Sequence, residues 1–167
     1  MIISKDWKDY EILDMANGEK LERWGNIVLI RPDPQIIWKD KSYPELWKKA
    51  NAHYHRSNKG GGEWEYIKKV PESWQIKYKD LTFNLKPMGF KHTGLFPEQA
   101  VNWDFMMKKI KEAKREIKVL NLFAYTGRSN VCLFKSRSTS VSCWLIKRND
   151  SLGKRKCCKL WFRKCTS

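Results

Sequence analysis

Trp74, Ile76 and Tyr78 alternate with polar residues, Lys79-Asp80 interrupts, and Leu81, Phe83 and Leu85 resume the alternation. Period two on both arms predicts a β-hairpin over 74–88 with one buried face. Upstream, "YEILDM" and "KLERW" flank Asn17-Gly18, a pair that tolerates the positive φ of a tight turn. A second turn at Gly25-Asn26 leads into "IVLIRP", an apolar run with the look of a central strand. Pro32 and Pro34 end it, because proline cannot donate to a ladder. Residues 10–32 therefore read as a small antiparallel unit.

The period changes after "GFKHTGLFPEQAVNWDFM" begins. Pro97 suits a first helical turn and Glu98 complements its dipole. Ala100, Trp103, Met106 with Met107, Ile110 and Ala113 then recur at three- and four-residue spacing, which predicts an amphipathic helix. Lys108, Lys109, Lys111 and Lys114 form its solvated face. Ile117, Val119, Leu120, Leu122 and Phe123 follow as an apolar run of strand length that enters a Thr-Gly turn. A strand after a helix, closing on such a turn, predicts a parallel strand of an α/β sheet.

Between these parts the pattern dissolves. Residues 38–73 read as a basic, aromatic loop or linker, with a triple glycine at 60–62 marking its flexible part. Arg56, Lys59, Lys68 and Lys69 are interleaved with Trp47, Tyr54, Trp64 and Tyr66. Two readings stay open: rings stacking on bases beside cations on phosphates, or a solvated loop that its aromatics anchor to the core. His53 and His55 form a lone His-x-His with no Cys, Asp or Glu at ligand spacing, so no metal site is expected.

Composition changes the picture in one respect. The apolar fraction of 41% and nine Trp fit a globular domain with a real core. The net charge of +16 would suggest a polyanionic partner. Residues 128–167, however, hold 11 Lys+Arg against a single acid, and all five cysteines lie there as well. Most of the basic signal belongs to that tail. The cysteine-free first 127 residues have no disulfide framework, which makes the cytoplasm the default address. "MIISKDWKDYEILD" has only two apolar residues before charges appear, so neither a signal peptide nor a membrane span is expected.

"LNLFAYTG" places a glycine turn at the carboxyl end of a strand, where α/β sheets bind cofactors. It matches neither G-x-G-x-x-G nor a Walker loop. "KPMGFKHTGLFPEQAVNWDFM" followed about twenty residues on by "VLNLFAYTG" resembles the bacterial class I S-adenosylmethionine-dependent methyltransferases, near the large-subunit rRNA cytosine methyltransferases. The resemblance covers residues 1–127 and is strong over 86–127. It implies S-adenosyl-L-methionine as cofactor and RNA as substrate, rRNA in the branch it lies near. It implies that Asn121, Phe123, Ala124, Tyr125, Thr126 and Gly127 form the cofactor turn beside the methionine moiety. Thr93, Gly94, Phe96 and Gln99 match an upstream segment that in the family lies against the cofactor pocket. No catalytic residue can be named, since neither a cysteine nucleophile nor an Asp/Asn-Pro-Pro-aromatic motif has a counterpart.

The family pattern stops at Gly127. A second glycine, a helix of small residues and an acidic residue closing the second strand are expected, and Arg128-Ser129-Asn130 follows instead. The genetic code offers an account. Codons for Gly127 to Ser138 can be chosen so that dropping one base yields Gly-Gly-Ala-Thr-Cys-Ala-Cys-Leu-Lys-Ala-Gly, the expected motif and helix. "LGKRKCCKLWFRKC" can be respelled in the same shifted frame as Trp-Ala-Lys-Glu-Asn-Val-Val-Asn-Cys-Gly-Leu-Glu-Asn, an amphipathic helix closing on glycine. A tail that violates every local rule at once fits an out-of-frame translation. Zinc binding by Cys157, Cys158 and Cys165, or a basic nucleic-acid tail, are the rival accounts.

The expected architecture is an α+β N-terminal region of small antiparallel β units and a hairpin, leading into a truncated α/β Rossmann-like methyltransferase domain. The divisions are 1–37, 38–73, 74–127 and an irregular tail, 128–167. The expected function is that of a methyltransferase fragment, inactive as it stands, with a non-catalytic RNA-binding module as the alternative.

Overall fold

Asn17 and Gly18 both take positive φ, 51° and 73°, the backbone of a type I′ turn. That turn joins β1 (Tyr10–Ala16) to β2 (Glu19–Trp24) in the computed structural model, which describes residues 4–58, 61–89, 91–113, 115, 118–121 and 139–142. The two-residue link Gly25-Asn26 has positive φ at the glycine alone, as a type II′ turn requires, and leads into β3 (Ile27–Pro32). The strand pattern predicted for 10–32 is thus present, and β3 is the central strand.

The sheet does not end there. β4 (Ala52–Arg56) pairs in parallel with β3, and β5 (Gly62–Tyr66) pairs antiparallel with β4, giving the order β1-β2-β3-β4-β5. The loop reading of this stretch is corrected: two strands and a short helix, α1 (Pro44–Trp47), run through it. The alternation was present, with Ala52 and Tyr54 buried, but short strands made of His, Glu and Trp lack the β-branched residues that announce a strand. Gly62 explains where the triple glycine sits. At φ 155° its backbone approaches β4 so closely that a Cβ would collide with the His55 carbonyl oxygen.

One irregularity in β1 gives the sheet two different faces. The register shifts between Ile12 and Asp14, so Tyr10 stands opposite Trp24 while Asp14 stands opposite Leu21. Side chains alternate along a strand, and the extra residue moves the second half of β1 to the other face. On one face Ala16, Leu21, Ile30, Trp47 and Ala50 form a core cluster. Asp14 reaches into it and accepts hydrogen bonds from the Trp47 indole at 2.8 Å and the Tyr43 backbone at 3.0 Å, pinning α1. Burial alone would raise the Asp14 pKa; those donors reverse this and hold it below the ordinary value.

The opposite face receives the hairpin of β6 (Trp74–Tyr78) and β7 (Leu81–Leu85), paired in the register Tyr78↔Leu81 through Trp74↔Leu85. Ile76, Tyr78, Leu81, Phe83 and Leu85 are all buried, as their alternation predicts. Trp74 donates to the Trp24 carbonyl at 3.0 Å, and Trp7 packs against Tyr78, tilted at 45°, with centroids 4.6 Å apart. Each such buried side chain contributes about 1.5–3 kcal/mol. Exposed ion pairs such as Lys48–Glu45 contribute about 0–1 kcal/mol, so apolar burial dominates the unit's stability.

These elements make up one compact unit, Ser4–Pro97; the chain from Glu98 belongs to a second. A 3-10 turn, Pro97–Gln99, leads into α2 (Ala100–Ala113), in which Ala100, Trp103 and Ile110 are buried and Lys108, Lys109 and Lys111 are exposed. β8 (Lys118–Asn121) pairs in parallel with β9 (Thr139–Ser142). The expected parallel strand is present. The tail is not wholly irregular, because four of its residues pair with that strand. Among the described residues, no helix is long and apolar enough to cross a membrane.

Candidate functional site

Residues 86–97 carry three of the sequence-predicted site residues, and the described ones among them have no regular backbone pairing before the 3-10 turn. Side chains from the sheet hold this segment instead. The Trp64 indole donates to the Met88 carbonyl at 2.8 Å, the Arg31 guanidinium to the Lys91 carbonyl at 3.0 Å, and the Trp7 indole to the Pro97 carbonyl at 3.0 Å. Lys91 returns a bond of 3.4 Å to the Pro32 carbonyl at the end of β3. A loop of this kind satisfies its backbone through side chains, and so depends on residues distant in sequence.

Arg31 is the most consequential of the three anchors. Its Nε lies 2.5 Å from Glu22 Oε2 and its NH2 nitrogen 2.9 Å from Oε1, a two-point pair in which Glu22 is fully buried. Tyr10 donates to the same carboxylate at 2.7 Å, and the guanidinium lies 5.1 Å from the Trp24 ring centroid. Burial alone would raise the Glu22 pKa; the Arg31 charge overcomes it and holds the carboxyl below its ordinary value. The irregularity in β1 makes this possible, since it puts Tyr10 on the Glu22 face.

Past Lys91 the segment turns inward. His92 lies edge-on to Phe96 at 5.1 Å, and its pKa is lowered, first by burial and then by the Arg31 and Lys91 charges, so it is neutral at pH 7. Gly94 adopts φ 86°, which a side chain would resist. Thr93 between them is 1% exposed, and its Oγ1 has no hydrogen-bond partner among the described residues. A buried hydroxyl without a partner costs about 1–3 kcal/mol, and is the kind of group that a polar ligand satisfies.

Thr93, Gly94 and Phe96 thus share one anchored segment. Gln99 lies in the second unit, exposed, with its side chain accepting from Asn102 at 2.8 Å. Asn121 ends β8 opposite Ser142. Phe123, Ala124, Tyr125, Thr126 and Gly127 lie outside the described residues. The sequence reading missed Arg31, Trp7 and Trp64 as supports, and its only signal was an acid in β2 placed to meet an arginine in β3.

The aromatic-basic stretch resolves differently from a stacking platform. Trp47 and Tyr54 are buried and Trp64 is an anchor; only Tyr66 among the four is exposed. Tyr66 borders an open cleft of about 770 Å³ together with Lys68, Lys69 and Lys86.

No protein-family model matches the chain. A putative F-box protein of Arabidopsis thaliana is 30% identical over 77 residues, which make up 44% of this chain and 20% of that protein. The structure is similar to that of a SAM-dependent methyltransferase from Agrobacterium tumefaciens, with a TM-score of 0.77 and 30% identity over 83% of this chain and 44% of that one. A putative SAM-dependent methyltransferase from Streptococcus mutans gives 0.61 at 18% identity, covering 86% and 40%. A further putative methyltransferase, solved in complex with SAH, gives 0.57 at 18% identity with the same coverage. The latter two share the fold. The chain spans less than half the length of the solved structures it resembles.

Proposed function

We propose that this chain is the N-terminal portion of an S-adenosylmethionine-dependent methyltransferase acting on RNA, with an rRNA base as the methyl acceptor. The observation that carries the reading is the combined likeness in sequence and fold to the Agrobacterium tumefaciens enzyme. The "NLFAYTG" match supports it, and the buried Thr93 hydroxyl, without a partner among the described residues, is consistent with it. In this reading the turn from Asn121 to Gly127 borders the methionine moiety, the role that the resemblance gives it. The bound cofactor supplies a methyl group on a positively charged sulfur. The chain's part is to orient that group and exclude water, since positioning rather than covalent chemistry lowers the barrier.

The substrate class comes from the resemblance, and the charge of one cleft supports it. Lys68, Lys69 and Lys86 around the Tyr66 cleft suit a phosphate backbone with one stacking ring. Residues 128–167 are, in this account, an out-of-frame continuation, and the chain as it stands transfers no methyl group. The coding DNA across codons 126–128 tests this part. An intact G run matching the in-frame spelling in independent isolates would refute it, as would turnover on rRNA by the purified chain.

A second reading, a non-catalytic RNA-binding module, is favoured by the placement of the whole cleft within the Ser4–Pro97 unit. Calorimetry with S-adenosylmethionine separates the two. Cofactor binding supports the methyltransferase, whereas salt-dependent RNA affinity with no cofactor binding supports the module.

A further inference from the structure

The outer end of β4 brings together donors that the spacing along the chain does not. His53 and His55 are two residues apart on one strand and so share a face. Their rings lie 4.1 Å apart. The strand pairing sets Glu65 of β5 directly opposite His53, and its Oε2 lies 2.7 Å from His55 Nε2. One ligand atom from each of His53, His55 and Glu65 falls within 4.8 Å of the others. On the opposite side Glu19 of β2 places Oε1 2.5 Å from His53 Nε2. Its pKa is lowered, first by the His53 hydrogen bond, against the opposing effect of burial.

We propose that His53, His55 and Glu65 form a binding site for a divalent late transition metal, Zn²⁺ in the first instance, with the adjacent Glu19 carboxylate as a fourth ligand. Two imidazoles and one carboxylate are a donor set that Zn²⁺ accepts in tetrahedral geometry, with bonds of about 2.0–2.2 Å. Such bonds need donors about 3.5 Å apart, so the His55–Glu65 pair at 2.7 Å must open while the wider separations, up to 4.8 Å, close. His55 and Glu65 have side chains 49% and 61% exposed and are free to rotate, while His53, at 20%, is held by the sheet. Two carboxylates balance the charge of a dication held by neutral imidazoles. Lys41 is the cation that also acts on Glu19, and it rests over the Trp47 ring at 4.2 Å. The ordinary alternative for these residues, two separate His–Glu hydrogen bonds, requires no shared geometry. The close packing of the two rings between the two acids is what a metal would use.

The test is calorimetric titration of Zn²⁺ into the full chain after alkylation of its five cysteines, which removes thiolate competition. The site predicts one Zn²⁺ per chain, with affinity falling about tenfold or more in both His55→Asn and Glu65→Gln. Glu45→Gln, a change at an exposed ion pair elsewhere, leaves the affinity unchanged. Because His55 and Glu65 are exposed, the tryptophan emission of the metal-free variants should match that of the parent. Absence of saturable binding overturns the proposal, and so does an affinity that survives both substitutions.

Discussion

Replacing Arg31 by Met tests how the 86–97 segment is held. The change removes both nitrogens from Glu22, which is fully buried, and frees the Lys91 carbonyl. Removing one partner of a buried pair costs about 3–5 kcal/mol, because the other charge is left uncompensated. Lys20 Nζ, 3.4 Å from Glu22 Oε1 and partly exposed, still offers some relief, which places the expected loss near the lower end, about 3 kcal/mol. For a unit of the size of Ser4–Pro97 that loss lowers Tm by about 12–24 °C. Urea unfolding followed by tryptophan fluorescence measures it directly. The double variant Glu22→Gln/Arg31→Met leaves no buried charge, and the amide oxygen introduced at position 22 can still accept from Tyr10. It should therefore be less destabilised than Arg31→Met alone, with a coupling of about 1.5 kcal/mol or more. A loss below about 1 kcal/mol for Arg31→Met, or strict additivity in the cycle, would refute the reasoning.

Three further outcomes follow from single features. Thr93→Val replaces a buried hydroxyl that has no partner among the described residues by a methyl of similar size, so the ligand-free chain should gain about 1 kcal/mol in urea unfolding. The same variant should lose affinity for S-adenosylmethionine, a divergence that a purely structural threonine would not produce. Gly62→Ala forces a Cβ against the His55 carbonyl and should cost about 2–3 kcal/mol. Gly18→Ala, with open space around it, should cost about 1 kcal/mol; equal losses would contradict the close approach at Gly62. The folded-state pKa values of Asp14, Glu19 and Glu22 are all lowered, so their stabilisation is complete above the ordinary carboxylate range. Urea midpoints should fall as pH drops below about 4.5, and Glu22→Gln should flatten that slope.

The elements legible in the sequence were those with a clean period. Ile76 to Leu85 announced the hairpin, and Asn17-Gly18 announced the β1–β2 turn, because each residue's local preference agrees with its place in the fold. β4 and β5 were hidden because their outward positions are His, Glu, Arg and Tyr and their covered ones are Ala, Tyr and a half-covered Trp, with no β-branched residue among them. Cross-strand relations carry no signal along the chain. The Glu22–Arg31 pair, the anchoring of Met88, Lys91 and Pro97, and the meeting of His53, His55 and Glu65 all depend on strand pairing and register. The shifted register in β1 is a further case. A single additional residue puts Tyr10 and Asp14 on opposite faces, although their even spacing in the sequence suggests one face.

The most direct test of the central claim is a calorimetric titration of S-adenosylmethionine into two chains: the chain as it stands, and the product of the same gene with one base removed at the Gly127 codon. The account predicts stoichiometric binding by the frame-restored product and binding at least about tenfold weaker by the chain as it stands. Absence of binding in the frame-restored product would contradict it.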